Sequence, residues 1–220
     1  MQIDIVSDTV CPWCFVGKRR FERALELRPQ TELNLTWRPY QLNPTMPSEG
    51  IDRKAYLSAK FGELERAERS YDRLREAGAE VGIQFRFDEI EMTPNSVNSH
   101  RLIQYAKTHS GNGAFVAEKL YVAYFLEARN IGDINILEDI AVEAGLDGKA
   151  FNQYIRSDDD RGFILEQDEA IRRQGITGVP CFIIGEKYAV SGAQPPEIFH
   201  QIFDLVHQEA LTAPAEPTAE

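Results

Sequence analysis

The sequence predicts an α/β domain interrupted by a large, all-helical insertion. Three observations carry this reading. The first forty residues run strand, helix, strand; extended apolar segments return only after residue 180; and the long stretch between them keeps the apolar spacing of helices.

The segment "QIDIVSD" (2–8) alternates apolar and polar residues and reads as a first strand. Pro12 opens a helix that extends to about Arg28, because Cys14, Lys18, Phe21 and Leu25 fall on one stripe. "ELNLTWRPY" (32–40) alternates Leu33, Leu35 and Trp37 and forms a second strand, with Trp37 in the core. Two prolines and a glycine in "NPTMPSEG" (43–50) break the pattern. Helices follow over about 52–78, 96–109, 113–129, 134–145 and 148–157, with "IQFRFDEI" (83–90) as a short extended arm, and a further helix runs from Asp160 to about Gln174. "CFIIG" (181–185) and "YAVSG" (188–192) flank a Glu-Lys turn and read as a hairpin. Pro195 and Pro196 start a final helix. The Ala/Pro/Glu-rich tail, 211–220, reads as disordered.

Composition narrows the function. The chain has 220 residues, 43% hydrophobic and 27% charged, which is ordinary for a globular protein that buries a core without disulfide staples. A net charge of −11 argues against nucleic acid or an anionic membrane as partner. No run of about 18 apolar residues is present to span a bilayer. The first ten residues alternate like a strand and lack the basic and apolar regions of a secretion signal, so the expected compartment is a reducing cytoplasm. There, three unevenly spaced cysteines are not a disulfide scaffold, and a C-x-x-C is reactive or metal-bound.

That motif is Cys11-Pro12-Trp13-Cys14 in "SDTVCPWCFVGKRRF" (7–21). A zinc site needs about four ligands, and His100, His109, His200 and His207 supply no paired spacing. A c-type haem anchor needs His after Cys14, where Phe15 stands. A purely structural use of both cysteines is the remaining alternative. Pro12 suits the first helical position, which makes Cys11 the N-cap, free to accept from the amides of Trp13 and Cys14. The helix dipole adds partial positive charge there, and both effects favour a thiolate. Cys11 is therefore the expected exposed nucleophile, and Cys14, heading the apolar stripe, the expected buried partner. Asp8, at the end of the first strand near Cys11, reads as a turn residue ahead of a group that relays a proton or opposes thiolate formation, and Trp13 sits at the rim where it can stack on substrate. The Tyr121, Tyr124 and Phe125 cluster reads as packing of the insertion, and Asn43 and Asn95 as turn residues.

With Val179-Pro180 before a hairpin and helix, this pattern resembles the thioredoxin fold. The helical insertion makes it similar to the DsbA family of thiol–disulfide oxidoreductases. The segments "WRPYQLNPTMPSEG", "MTPNSVNSHRL", "LYVAYFLEARNIGD", "GITGVPCFIIG" and "YAVSGAQP" resemble its FrnE-type branch, which also holds 2-hydroxychromene-2-carboxylate isomerases and kappa-class glutathione transferases. The resemblance spans residues 2–205 and implies a thioredoxin-like domain from 1–48 and 160–210 around an insertion at 49–159. It implies that Pro180 is a cis-proline facing the C-x-x-C, that Val179 offers its backbone to an extended substrate, that Cys11 attacks and that Cys14 resolves. It implies protein or small-molecule thiols and disulfides as partners, with no metal or organic cofactor. Two positions depart from the relatives. Cys181 stands where an apolar residue is usual, and core packing is its expected role ahead of a third redox thiol. The isomerase and transferase relatives carry Ser at the position of Cys11 and a Ser–Asp pair after the last hairpin glycine. Here Gly192 is followed by Ala193 and Gln194, so glutathione is expected as a redox partner and not as a bound cofactor.

Overall fold

The computed structural model describes residues 1–30, 32–62 and 64–212. Strand β1 (Gln2–Ser7) lies parallel to β2 (Asn34–Pro39) and antiparallel to β5 (Cys181–Ile184), which pairs with β6 (Tyr188–Ser191). The sheet order is β2-β1-β5-β6. The parallel β1–β2 pair requires a crossover, and α1 (Pro12–Leu27) supplies it.

Side chains alternate across this sheet as its two-residue period demands. Ile3, Ile5, Phe182 and Ile184 point to one face, where they meet Phe21 and Ala24 of α1 and Phe199 and Phe203 of α9 (Pro196–Thr212). Val6 and Cys181 point to the other, against Tyr40 and Ile171 of α8 (Arg161–Arg173). Cys181 is thus a packed core residue, paired with Val6 and Ser191 in the ladder.

Between β2 and α8 lie α2 (Arg53–Phe61), α3 (Leu64–Ala79), α4 (Val97–Ser110), α5 (Gly113–Phe125), α6 (Ile134–Glu143) and α7 (Gly148–Arg156). This segment is helical except for a two-residue ladder of β3 (Ile51–Asp52) with β4 (Met92–Thr93). It shares its core with α1: Phe15 stacks on Tyr121 with ring centroids 5.3 Å apart and sits 6.4 Å from Phe125. A fully buried aromatic side chain contributes roughly 1.5–3 kcal/mol. This shared cluster therefore fixes the insertion against the helix that carries both cysteines.

Some boundaries differ from the sequence reading. The expected helix over 52–78 is two helices, because Gly62 takes φ +77° and turns the chain. The expected arm over 83–90 folds into a single turn at Phe87–Glu89. Phe85 and Phe87 stack at 4.6 Å. The helix expected over 113–129 ends at Phe125, before Ala128 adopts φ +55°. Helix α9 runs on through Leu211 and Thr212, and the rest of the expected disordered tail, 213–220, lies outside the described residues. Among the described residues no helix is long and apolar enough to cross a membrane.

Candidate active site

Strand β1 ends at Ser7, and a short turn closed by the Cys11 amide on the Asp8 carbonyl (3.1 Å) delivers the chain to α1. Pro12 is the first helical residue and Cys11 is the N-cap, as the sequence predicts. The expected capping by its thiol is absent. The Cys14 amide takes the Cys11 carbonyl instead (3.0 Å), and Pro12 has no amide to offer. The Cys11 sulfur is left to face the loop before β5, where Sγ lies 3.7 Å from the carbonyl oxygen of Val179.

The Val179–Pro180 peptide bond is cis. Its ring is seated by a residue that sequence reasoning missed. A Cβ on Gly17, one turn below Cys14, would stand 2.8 Å from Pro180 Cγ and 3.4 Å from Ala193 Cα. Any side chain at 17 fills the seat of the proline. The Gly192 amide completes the corner by donating to the Pro180 carbonyl (2.8 Å).

Both motif cysteines are buried, Cys11 at 4% exposure and Cys14 at 2%, and both are free thiols. The exposed position expected for Cys11 is corrected: it is buried, with its sulfur against the Val179 carbonyl and at a cavity that residues of α2 and α3 also line. What remains is a cavity of about 210 Å³ between Cys11, Pro12, Trp13 and Val179 on one side and Arg53, Tyr56, Lys60 and Tyr71 on the other. Trp13, 37% exposed, forms its rim.

Burial, followed by the hydrogen bond and charge of Cys11, raises the Cys14 thiol well above its ordinary range. Cys14 is therefore a protonated, unreactive thiol until a neighbour takes its proton. Asp8, fully buried beside this pair, accepts from the Leu42 amide (2.7 Å) and sits 3.5 Å from His100 Nε2 of α4. Tyr121 donates its hydroxyl toward the Asp8 carbonyl (3.4 Å). It had read as packing alone. Burial first, then the charge of Cys14, raises its phenol. Burial alone raises Cys181, which packs in a separate cluster with Val6, Tyr40 and Ile171. Asn95 is a turn residue, accepting from the Val97 amide (3.0 Å), and Asn43 contacts the Tyr56 hydroxyl (3.3 Å). Among the described residues no three His, Cys, Asp or Glu side chains gather as metal ligands would.

A β-α-β unit, an antiparallel hairpin and a C-x-x-C at a helix start under a cis-proline define a thioredoxin-fold protein. The DSBA-like thioredoxin domain family matches residues 2–204, and the chain belongs to that family. It is 29% identical over 205 residues to the Bacillus subtilis protein YwbO, covering 91% of this chain and 94% of the relative. A probable DsbA oxidoreductase from Streptomyces coelicolor, SCO1869, superposes with a TM-score of 0.88 at 30% identity, covering 95% of this chain and 91% of that one. The cytosolic disulfide reductase DsbM from Pseudomonas aeruginosa, solved with glutathione, has a TM-score of 0.69 at 17% identity over 94% of this chain and 100% of its own, and shares the fold.

Proposed function

We propose that the protein is a cytoplasmic thiol–disulfide oxidoreductase of the FrnE-type branch, with Cys11 as attacking thiol and Cys14 as resolving thiol. The observation that carries this reading is the position of Cys11 at the start of α1, with its sulfur 3.7 Å from the carbonyl of the cis-proline loop. In the reducing direction, the Cys11 thiolate attacks one sulfur of a substrate disulfide and the other sulfur leaves as a thiol. Cys14 loses its proton and attacks the Cys11 sulfur, which releases the second thiol and leaves a Cys11–Cys14 disulfide. Two molecules of a small thiol such as glutathione, leaving as their disulfide, or one protein dithiol return the two electrons. Val179 and Pro180 hold the extended substrate segment while Trp13 and Pro12 line its approach, and the reaction needs no metal or organic cofactor.

The test is a pair of substitutions. Cys14→Ser should accumulate mixed disulfides through Cys11, visible as mass adducts, and Cys11→Ser should abolish disulfide reduction. Full activity of the Cys11→Ser protein would falsify the mechanism. Turnover that depends on glutathione and survives loss of Cys14 would favour the isomerase or transferase reading instead.

A further inference from the structure

Among the described residues the guanidinium of Arg53, the buried cation lining the cavity, meets only neutral partners, among them the rings of Tyr56 and Tyr71, each centred 5.7 Å from it. The residue is 8% exposed, and its guanidinium donates to two neutral groups, Thr93 Oγ1 (3.0 Å) and the Tyr71 hydroxyl (2.6 Å). Nε is buried without a partner. Among the described residues no carboxylate pairs with Arg53. Glu68, the acidic residue nearest in effect to Tyr71, is held by Arg75 at 2.7 Å. Arg53 is also the first residue of α2, where the helix dipole disfavours a cation. Asp52 beside it faces solvent and caps the Ala55 amide. Burying an uncompensated charge costs several kcal/mol, so a fold that keeps one against a cavity is complementary to an anion that is yet to arrive.

The cavity supports this. Cys11, Val179 and Trp13 line the same space as Arg53. Lys60 stands on the same side as Arg53, its ammonium donating to the Tyr56 hydroxyl (3.0 Å). Tyr56, Phe61 and Tyr71 supply aromatic walls, and among the described residues no acidic side chain lines the space. In a chain of net charge −11, a pocket that brings two cations to a thiol is an exception. At about 210 Å³ it holds part of a small molecule and is too small for a folded partner.

We infer that this cavity is the subsite for the carboxylate-bearing arm of a low-molecular-weight disulfide, held by Arg53 and Lys60 while its sulfur exchanges with Cys11. The assignment rests on Cys11 being the attacking thiol. The bonds made and broken are those of the proposed cycle: one S–S bond of the substrate is exchanged for a Cys11–substrate disulfide, and one carboxylate thiol departs.

Three disulfides that differ in charge test it: dithiodipropionate (anionic), bis(2-hydroxyethyl) disulfide (neutral) and cystamine (cationic). The wild-type protein should prefer the anionic over the neutral disulfide in kcat/KM by roughly tenfold or more, and disfavour the cationic one. Arg53→Met should bring the anionic-to-neutral ratio close to one, Arg53→Lys should retain part of it, and Lys60→Met, at an exposed position, should reduce it a few-fold. A merely structural Arg53 would lower all three rates together and leave the ratio unmoved, which would overturn the assignment, as would a wild-type protein without charge preference. If no disulfide is reduced, the exchange reading fails, and the subsite is then decided separately by NMR titration with 3-(methylthio)propionate. Shifts at Arg53 and Tyr56 that vanish in Arg53→Met support it; none in the wild type refutes it.

Discussion

Chemistry in this protein is set by which atoms are kept from water. Cys11 and Cys14 are three residues apart, yet only one faces the cavity, and burial holds the other protonated. Gly17 decides the geometry above them. An added methyl meets Pro180 Cγ at 2.8 Å, so Gly17→Ala must push the Val179–Pro180 loop away from Cys11. Overpacking of this kind costs about 1–3 kcal/mol, against about 1 kcal/mol of improved helix propensity, so thermal stability should fall modestly. Disulfide exchange should fall roughly tenfold, because the reacting groups lose their alignment. A Gly17→Ala protein with the full exchange rate would show that the proline seat is not needed. Gly17 was invisible in the sequence because a helical glycine has many uses; only the approach of a loop 163 residues away gives it meaning.

Among the elements, α7 shows how the insertion is tied down. Arg101 of α4 is buried and donates to the carbonyls of Tyr154 (2.9 Å), Ile155 (3.0 Å), Ser157 (2.9 Å) and Asp159 (2.9 Å) at the end of α7 and just beyond it. The helix dipole leaves partial negative charge at this end, and one guanidinium fork meets the cluster of carbonyls there, of which that of Tyr154 also accepts from the Ser157 amide (3.1 Å). Its charge is thus explained by the fold, in contrast with Arg53. Arg101→Met should destabilise the protein by roughly 3–5 kcal/mol, read as a lower urea midpoint. Arg101→Lys should rescue little, because a single ammonium cannot reach carbonyls spread around a planar fork. Equal midpoints for the wild type and Arg101→Met would refute the cap. The sequence reading placed α4, α6 and α7 within a few residues, since their apolar periodicity and the Asp133 and Asp147 caps are local signals. It merged α2 with α3 because the amphipathic pattern continues through Gly62 while the backbone turns.

Over the whole molecule, one aromatic core joins the cysteine helix to the insertion, and that core responds to pH. Burial raises Cys14 and Tyr121 well above their ordinary values of 9.0 and 10.0, and pushes Tyr124 up to about 12. The unfolded chain ionises these groups near their ordinary values while the native state keeps them protonated. Above pH 9 the unfolded state therefore loses protons first. Stability from these groups is complete below about pH 9 and should decline progressively towards about pH 12. Urea unfolding at pH 8, 9.5 and 11 measures this. A midpoint that stays level across the series would mean that these groups are not held neutral by the fold. Replacing Tyr121 by Phe should flatten part of the slope.

The sequence by itself determined the local features: the strand–helix–strand start, the helix opened by Pro12, the returning hairpin, and the Cys11–Cys14 pair at a helix start. Each follows from side-chain periodicity, from the fixed φ of proline, or from short spacings that nearest neighbours enforce. Tertiary structure alone decided how far those features are covered. It buried Cys11, packed Cys181 against Val6 and Ile171, seated Pro180 on Gly17, and brought the buried guanidinium of Arg53 to the cavity that Cys11 lines. Burial and charge compensation come from residues far apart in the chain, and no local pattern encodes which of them meet.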